Sequence, residues 1–339
     1  MFRGFKKFEN KILVGTVFDD HWEDCIPQLT EFAKATNSQI RLAHVIRPIE
    51  YHRTIASHYY ESINYETLNL EETFEKDFRE KLAKLQKKFV EQDVPCDTKI
   101  LWGPTAGSLM AEAKSWGASM IVAKLRSSPK QYMPYSLSTI INLMTFSEVP
   151  VMTLPHEGEL DLSKKDPKIL IADNLREETE NIVKIAVNFG NMIGPSHFVH
   201  FHVHNQAKQE ILRLGDTILN AMLENKAKDK TDFVPDKLLK DIEADINSKF
   251  EKRYDVAAAD IAHGKHHYIQ ETVYNNVREA LEEKVKDYGP DFIIFGKHHT
   301  LHAKPMAIGK IPFYTMLNFD IPTLTIPEAT KTLVLAAKE

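Results

Sequence analysis

Ten of the chain's 15 histidines fall between His197 and His302, so the first question is what imidazoles in that pattern could do. His200, His202 and His204 alternate, and on a strand they share one face. His263, His266, His267, His298, His299 and His302 are expected in loops after strands three and four, where several rings could converge at one sheet edge. Two chemistries use such a cluster. Neutral imidazoles bind zinc when three or four approach to about 2.0–2.1 Å, and the candidate ligands are His204, His298, His299 and His302. Alternatively, Lys297, His298, His299, His302, Lys304 and Lys310 form a cationic lid over a phosphate-bearing ligand, the reading favoured here. His202 is expected to be structural, because His44 repeats it where nothing else marks a site.

Covalent chemistry has no comparable signature. Neither a Gly-x-Ser-x-Gly elbow nor a Walker Gly-x4-Gly-Lys-(Ser/Thr) loop occurs. Cys25 falls on the apolar side of a helix and Cys96 beside a strand start, where burial is the usual reason for cysteine. Glu71-Glu72, Glu177-Glu178 and Glu282-Glu283 are adjacent on expected helices and point apart, as solvated faces do. No catalytic residue is assigned, and at most a weak ATP hydrolysis through water or metal near Asp173 is expected.

The elements that must position these groups repeat. Lys11-Ile-Leu-Val-Gly15 recurs as Lys168-Ile-Leu-Ile-Ala172, and Leu42-Ala-His-Val-Ile46 as His200-Phe-His-Val-His204. Gly117–Ala123 answers to Gly289–Phe295, and Val149–Pro155 to Ile321–Pro327, in the same order. A polar segment at 154–167, bracketed by prolines, reads as a linker. The division is therefore residues 1–157 and 158–339. Short β-branched runs predict strands near 12–18, 40–46, 97–102, 120–124 and 151–154, then 169–173, 198–203, 255–261, 292–295 and 323–326. Helical spacing fills the gaps, including 69–92, 106–116 with Thr105 as its cap, 138–146, 206–228 and 236–253. Asp19 or Asp20 is expected to cap the first helix, and the tyrosine-rich stretch 51–65 to serve a core or interface. Strands alternating with helices demand parallel pairing, hence an α/β fold of two tandem doubly wound sheets. Ligands in such sheets sit beyond the carboxyl ends of the strands.

The Ile-Leu-Val opening, His44-Val45 and His202-Val203, the Gly103-Pro104 turn and the closing Pro-Val and Pro-Thr strands resemble the universal stress protein family in its tandem form. The resemblance implies five-stranded sheets of order 3-2-1-4-5, Rossmann-like and akin to adenine nucleotide alpha hydrolases, with a cytoplasmic stress-response role. It also implies, in many members, an ATP or AMP site built on Gly-x2-Gly-x9-Gly-(Ser/Thr) and a strand-one aspartate. The glycines would let backbone N–H groups approach phosphate. The second copy keeps Gly296-x2-His299-x9-Gly309-Lys310, so Asp173, Val203, Gly296, His299, Gly309 and Lys310 are the candidate contacts. The first copy has Ala123, Arg126 and Leu137-Ser138 at the loop positions and Val17 for the aspartate, and no nucleotide is expected there.

Bulk properties narrow the partners. With 43 Lys plus Arg against 48 Asp plus Glu, the charge of -5 gives no field for nucleic acid. Two cysteines suit a reducing, cytoplasmic compartment. No apolar run nears the roughly 18–20 residues of a membrane span. The basic start, Arg3 to Lys11, leads into a first strand rather than a secretory signal. A small phosphate ligand is the expected partner, with a homodimer or a pseudo-dimer of the two halves as the expected assembly.

Overall fold

The computed structural model describes residues 10–18, 22–47, 70–125, 135–155, 164–224, 235–296 and 310–327. The first half runs β1 (Asn10–Gly15), α1 (Ile26–Ala35), β2 (Ser38–Ile46), α2 (Leu70–Val90), β3 (Cys96–Trp102), α3 (Thr105–Trp116), β4 (Met120–Lys124), α4 (Tyr135–Phe146) and β5 (Val151–Leu154). The second runs β6 (Lys168–Ala172), α5 (Ile182–Ile193), β7 (His197–His204), α6 (Lys208–Glu224), α7 (Pro235–His263), β8 (His267–Tyr274), α8 (Val277–Tyr288), β9 (Phe292–Gly296), α9 (Lys310–Asn318) and β10 (Thr323–Ile326).

Each half has the order 3-2-1-4-5 with parallel pairing, as expected of doubly wound units. The two sheets are not separate, however. β5 pairs antiparallel with β10, Thr153 opposite Thr323 and Met152 opposite Leu324, so the order is β3-β2-β1-β4-β5-β10-β9-β6-β7-β8 in one ten-stranded sheet. Both joining strands are buried throughout, which a sheet edge could not be.

One hydrophobic core runs through both halves on the face covered by α1, α2, α5 and α7, where Phe32 and Phe189 meet with ring centroids 5.9 Å apart. On the opposite face α3 and α4 cover the first half and α8 the second, while Phe313 and Met316 of α9 reach into the first half's core.

Two sequence expectations are corrected. Residues 255–261 are not a strand but the last turns of α7, whose inward stripe continues from Ile246 and Phe250 through Ala257 to Ile261. The third strand of this half is β8, twelve residues later, which sets His263, His266 and His267 at the amino end of β8 and not at the carboxyl rim. Thr105 is the first residue of α3, whose N-cap is Pro104, preceded by Gly103 at φ 125°. Asp19, Asp20 and the stretch 51–65 lie outside the described residues. No helix among the described residues is long and apolar enough to cross a membrane.

Candidate functional site

The loop after β6 sits at the point where the strand order of the second half reverses, between β7 and β9. Asp173 is its first residue, and its side chain is fully buried. Oδ1 accepts the backbone N–H of Leu175 at 3.0 Å and the Thr179 hydroxyl at 2.6 Å. Oδ2 lies 3.1 Å from His200 Nε2 and 2.7 Å from Arg253 Nε, the latter an ion pair whose N–H is not aimed along the line to the oxygen. All the acceptor capacity of the carboxylate is turned inward.

The neighbours are held as firmly. A carboxylate only accepts, so His200 carries its proton on Nε2, and Nδ1 accepts from the Tyr268 hydroxyl at 2.7 Å. His202 Nδ1 donates to the Asp173 carbonyl at 2.9 Å. Phe250 of α7 stands near-perpendicular to both imidazoles, at 4.6 and 6.5 Å between centroids. Arg253, 3% exposed, also donates to the carbonyls of Arg176 at 2.6 Å and Lys249 at 3.2 Å.

The electrostatics follow from burial. Desolvation opposes the charge on Asp173, but the hydrogen bond from His200, the Arg253 cation and the Thr179 hydroxyl outweigh it and hold the carboxyl below its ordinary range. Burial dominates at His200 and keeps it neutral, below the ordinary histidine value. One anion and one cation thus cancel inside a closed polar cluster. Burial lowers His202 as well and raises Tyr268.

The sequence candidates separate here. Asp173 is at the rim, but its carboxylate is occupied. Val203 faces the other side of the sheet, packed with the core under α8. Gly296 ends β9, and a Cβ there would drive into Thr179 Cγ2. Its missing side chain is therefore taken up by the threonine that anchors Asp173. His204 lies beside Tyr274, with ring centroids 5.4 Å apart and a buried Nε2 that has no hydrogen-bond partner among the described residues. His298, His299, His302 and Gly309 lie outside the described residues, and Lys310 opens α9. Among the described residues no group of three or more His, Cys, Asp or Glu side chains could hold a metal. His266 is structural: Nδ1 accepts from Ser196 N–H and Nε2 donates to Asn191 Oδ1, each at 3.0 Å.

Sequence reasoning missed Arg253, Thr179 and Tyr268. Arg253 had a signal, since it stands three residues after Phe250 on the inward stripe of α7. A cation on a core stripe asks for a buried anion.

Residues 9–155 match the sequence model of the Universal stress protein family. No curated protein matches the chain. Among solved structures, a universal stress protein from Archaeoglobus fulgidus superposes with a TM-score of 0.59 at 12% identity, covering 94% of this chain and 96% of its own. A chain from Pseudomonas aeruginosa UCBPP-PA14, provisionally named for the same family, gives 0.58 at 13% identity over 97% and 98%. A functionally unknown protein from Pseudomonas aeruginosa PAO1 gives 0.53 at 13% over the same shares. These structures share the architecture of the whole chain, both halves included, while the sequence match falls on the first. Residues 9–155 therefore carry a domain that the universal stress protein family model matches, and the fold of both halves is the one these structures share.

Proposed function

We propose that the chain serves a stress response by non-covalent binding rather than catalysis, and that the rim of its second half is occupied by its own Arg253 in place of a nucleotide. The observation carrying this reading is the Asp173 carboxylate, whose two oxygens are shared among Leu175, Thr179, His200 and Arg253. A ligand hydroxyl or amine would have to break a buried ion pair to reach it, at a cost of about 3–5 kcal/mol. The two halves would then act chiefly as a scaffold for partners. Isothermal titration with ATP and with AMP tests this: no saturable heat is expected up to millimolar nucleotide. Micromolar binding abolished by Asp173→Asn would overturn it.

A second reading has its own support. Lys310 begins the nine-residue helix that follows β9 in the chain, and a helix start carries free N–H groups suited to an anion. A phosphate-bearing ligand there, ATP or AMP included, would be held by the 297–310 segment without Asp173. It predicts nucleotide binding weakened by Lys310→Ala but insensitive to Asp173→Asn. Zinc on His204, His298, His299 and His302 would instead appear as metal co-purifying at one equivalent.

A further inference from the structure

The cluster around Asp173 joins two layers, the carboxyl ends of β6 and β7 and the long helix α7. Charged and titratable groups face His200 from every side. Asp173 comes from the loop after β6, His202 from β7, Arg253 from α7 and Tyr268 from β8. Tyr254 of α7 lies against Tyr268 at 5.4 Å between centroids. With His200 neutral every hydrogen bond it makes is matched. With His200 protonated, Nδ1 becomes a donor facing a hydroxyl already donating to it, and the cluster holds two cations against one anion.

We propose that α7 is an acid-released strap: protonation of His200 expels Arg253 from its place beside Asp173, and α7 with α6 lifts from the carboxyl edge of β6 and β7, baring the Asp173 carboxylate. This rests on the self-occupied reading of the rim, but concerns motion of the helix and not nucleotide affinity. Among the described residues, apolar anchoring of α7 at this end is small: Ile246 and Phe250 against Leu175 with Ile242 and Tyr274 beside them. The imidazole is held below its ordinary value by burial, so the released form binds the proton more tightly. Release is therefore favoured as pH falls below about 6.5, by up to tenfold per pH unit until the strapped form also titrates. Asp173, shifted below its ordinary range, keeps its charge throughout that window.

Hydrogen exchange of the full chain at pH 7.5 and 5.5, corrected for intrinsic exchange, reads the strap directly. Amides 246–257 are expected to lose about tenfold protection at pH 5.5 while β1 to β5 keep theirs. His200→Gln, which can still donate to Asp173 and accept from Tyr268, should remove most of that loss. His200→Leu, the residue that Leu42 places at this register in the first half, provides a second non-titrating variant if the glutamine variant does not fold. Unchanged protection in the parent would overturn the strap. So would an equal loss across both halves, or a loss that persists in the folded His200 variant, which would assign the effect to His202 or to His266 at the far end of α7.

Discussion

The first strand of each half ends at the same place in the same sheet order, with Thr16 in one and Asp173 in the other. Around Thr16 no buried charge stands among the described residues, and the neighbours are aromatic. Its hydroxyl donates to the Ala43 carbonyl at 3.1 Å, His44 Nδ1 donates to its carbonyl at 3.2 Å, and Phe78 stacks on His44 at 4.3 Å. Around Asp173 the same histidine and the same helical phenylalanine recur as His202 and Phe250. What changes is the charge. Leu42 gives way to His200 in register, and three residues beyond each phenylalanine stand Lys81 and Arg253. Lys81 stays exposed, over the rings of Phe18 and Phe78 at 5.6 and 5.4 Å, whereas Arg253 is drawn inside. A buried carboxylate compels its neighbours to supply a cation and a proton donor; a hydroxyl makes no such demand.

The sharpest way to break this comparison is to remove the anion. Asp173→Asn leaves Arg253 buried without a counter-charge and should cost about 3–5 kcal/mol by urea denaturation, whereas Thr16→Ala should cost about 1 kcal/mol. Equal costs would show that the ion pair contributes nothing distinctive. Converting the second half to the first, with Asp173→Thr, His200→Leu and Arg253→Met together, should recover most of the loss, because an apolar replacement of a buried ion pair is often neutral or stabilising.

Gly296→Ala comes next, at about 1–3 kcal/mol from the clash with Thr179 Cγ2. Thr179→Ser, which deletes that methyl and keeps the hydroxyl for Asp173, should restore part of it in the double variant. Absence of rescue would mean the glycine serves something other than this contact. Acid should then separate the halves further. Lowering the pH from 6.5 to 5.5 costs the second half up to about 1.4 kcal/mol through His200, a slope that His200→Gln should flatten. The smallest effect belongs to the join. The hydroxyls of Thr153, Thr323 and Thr325 are buried with no hydrogen-bond partner among the described residues. Thr153→Val with Thr323→Val should be neutral or stabilise by about 1 kcal/mol in the same denaturation assay.

Much of this architecture could be read from residue order alone. The recurring Ile-Leu-Val and Ile-Leu-Ile runs located β1 and β6, and the alternation of His200 and His202 placed both on the face that meets α7. β8 was misplaced because Val256-Ala257-Ala258-Ala259 reads as a short apolar run, although alanine favours helix and Phe250, Ala257 and Ile261 keep helical spacing. The occupied state of Asp173 was not legible, since it depends on a helix arriving from 80 residues downstream at Arg253. Nor was the union of the sheets, though it left a trace. Val151–Leu154 and Thr323–Ile326 carry no charged residue on either face, a pattern that suits interior strands.

That antiparallel join has a further consequence for reach. Every strand of one half runs opposite to every strand of the other. The loops following Thr16 and those following Asp173 therefore open to opposite sides of the slab, like sockets on the two ends of a cable. A single small guest cannot span them, so the two rims are separate places on the molecule. Communication between them would pass through the joined strands β5 and β10 and the shared interior at Phe32 and Phe189.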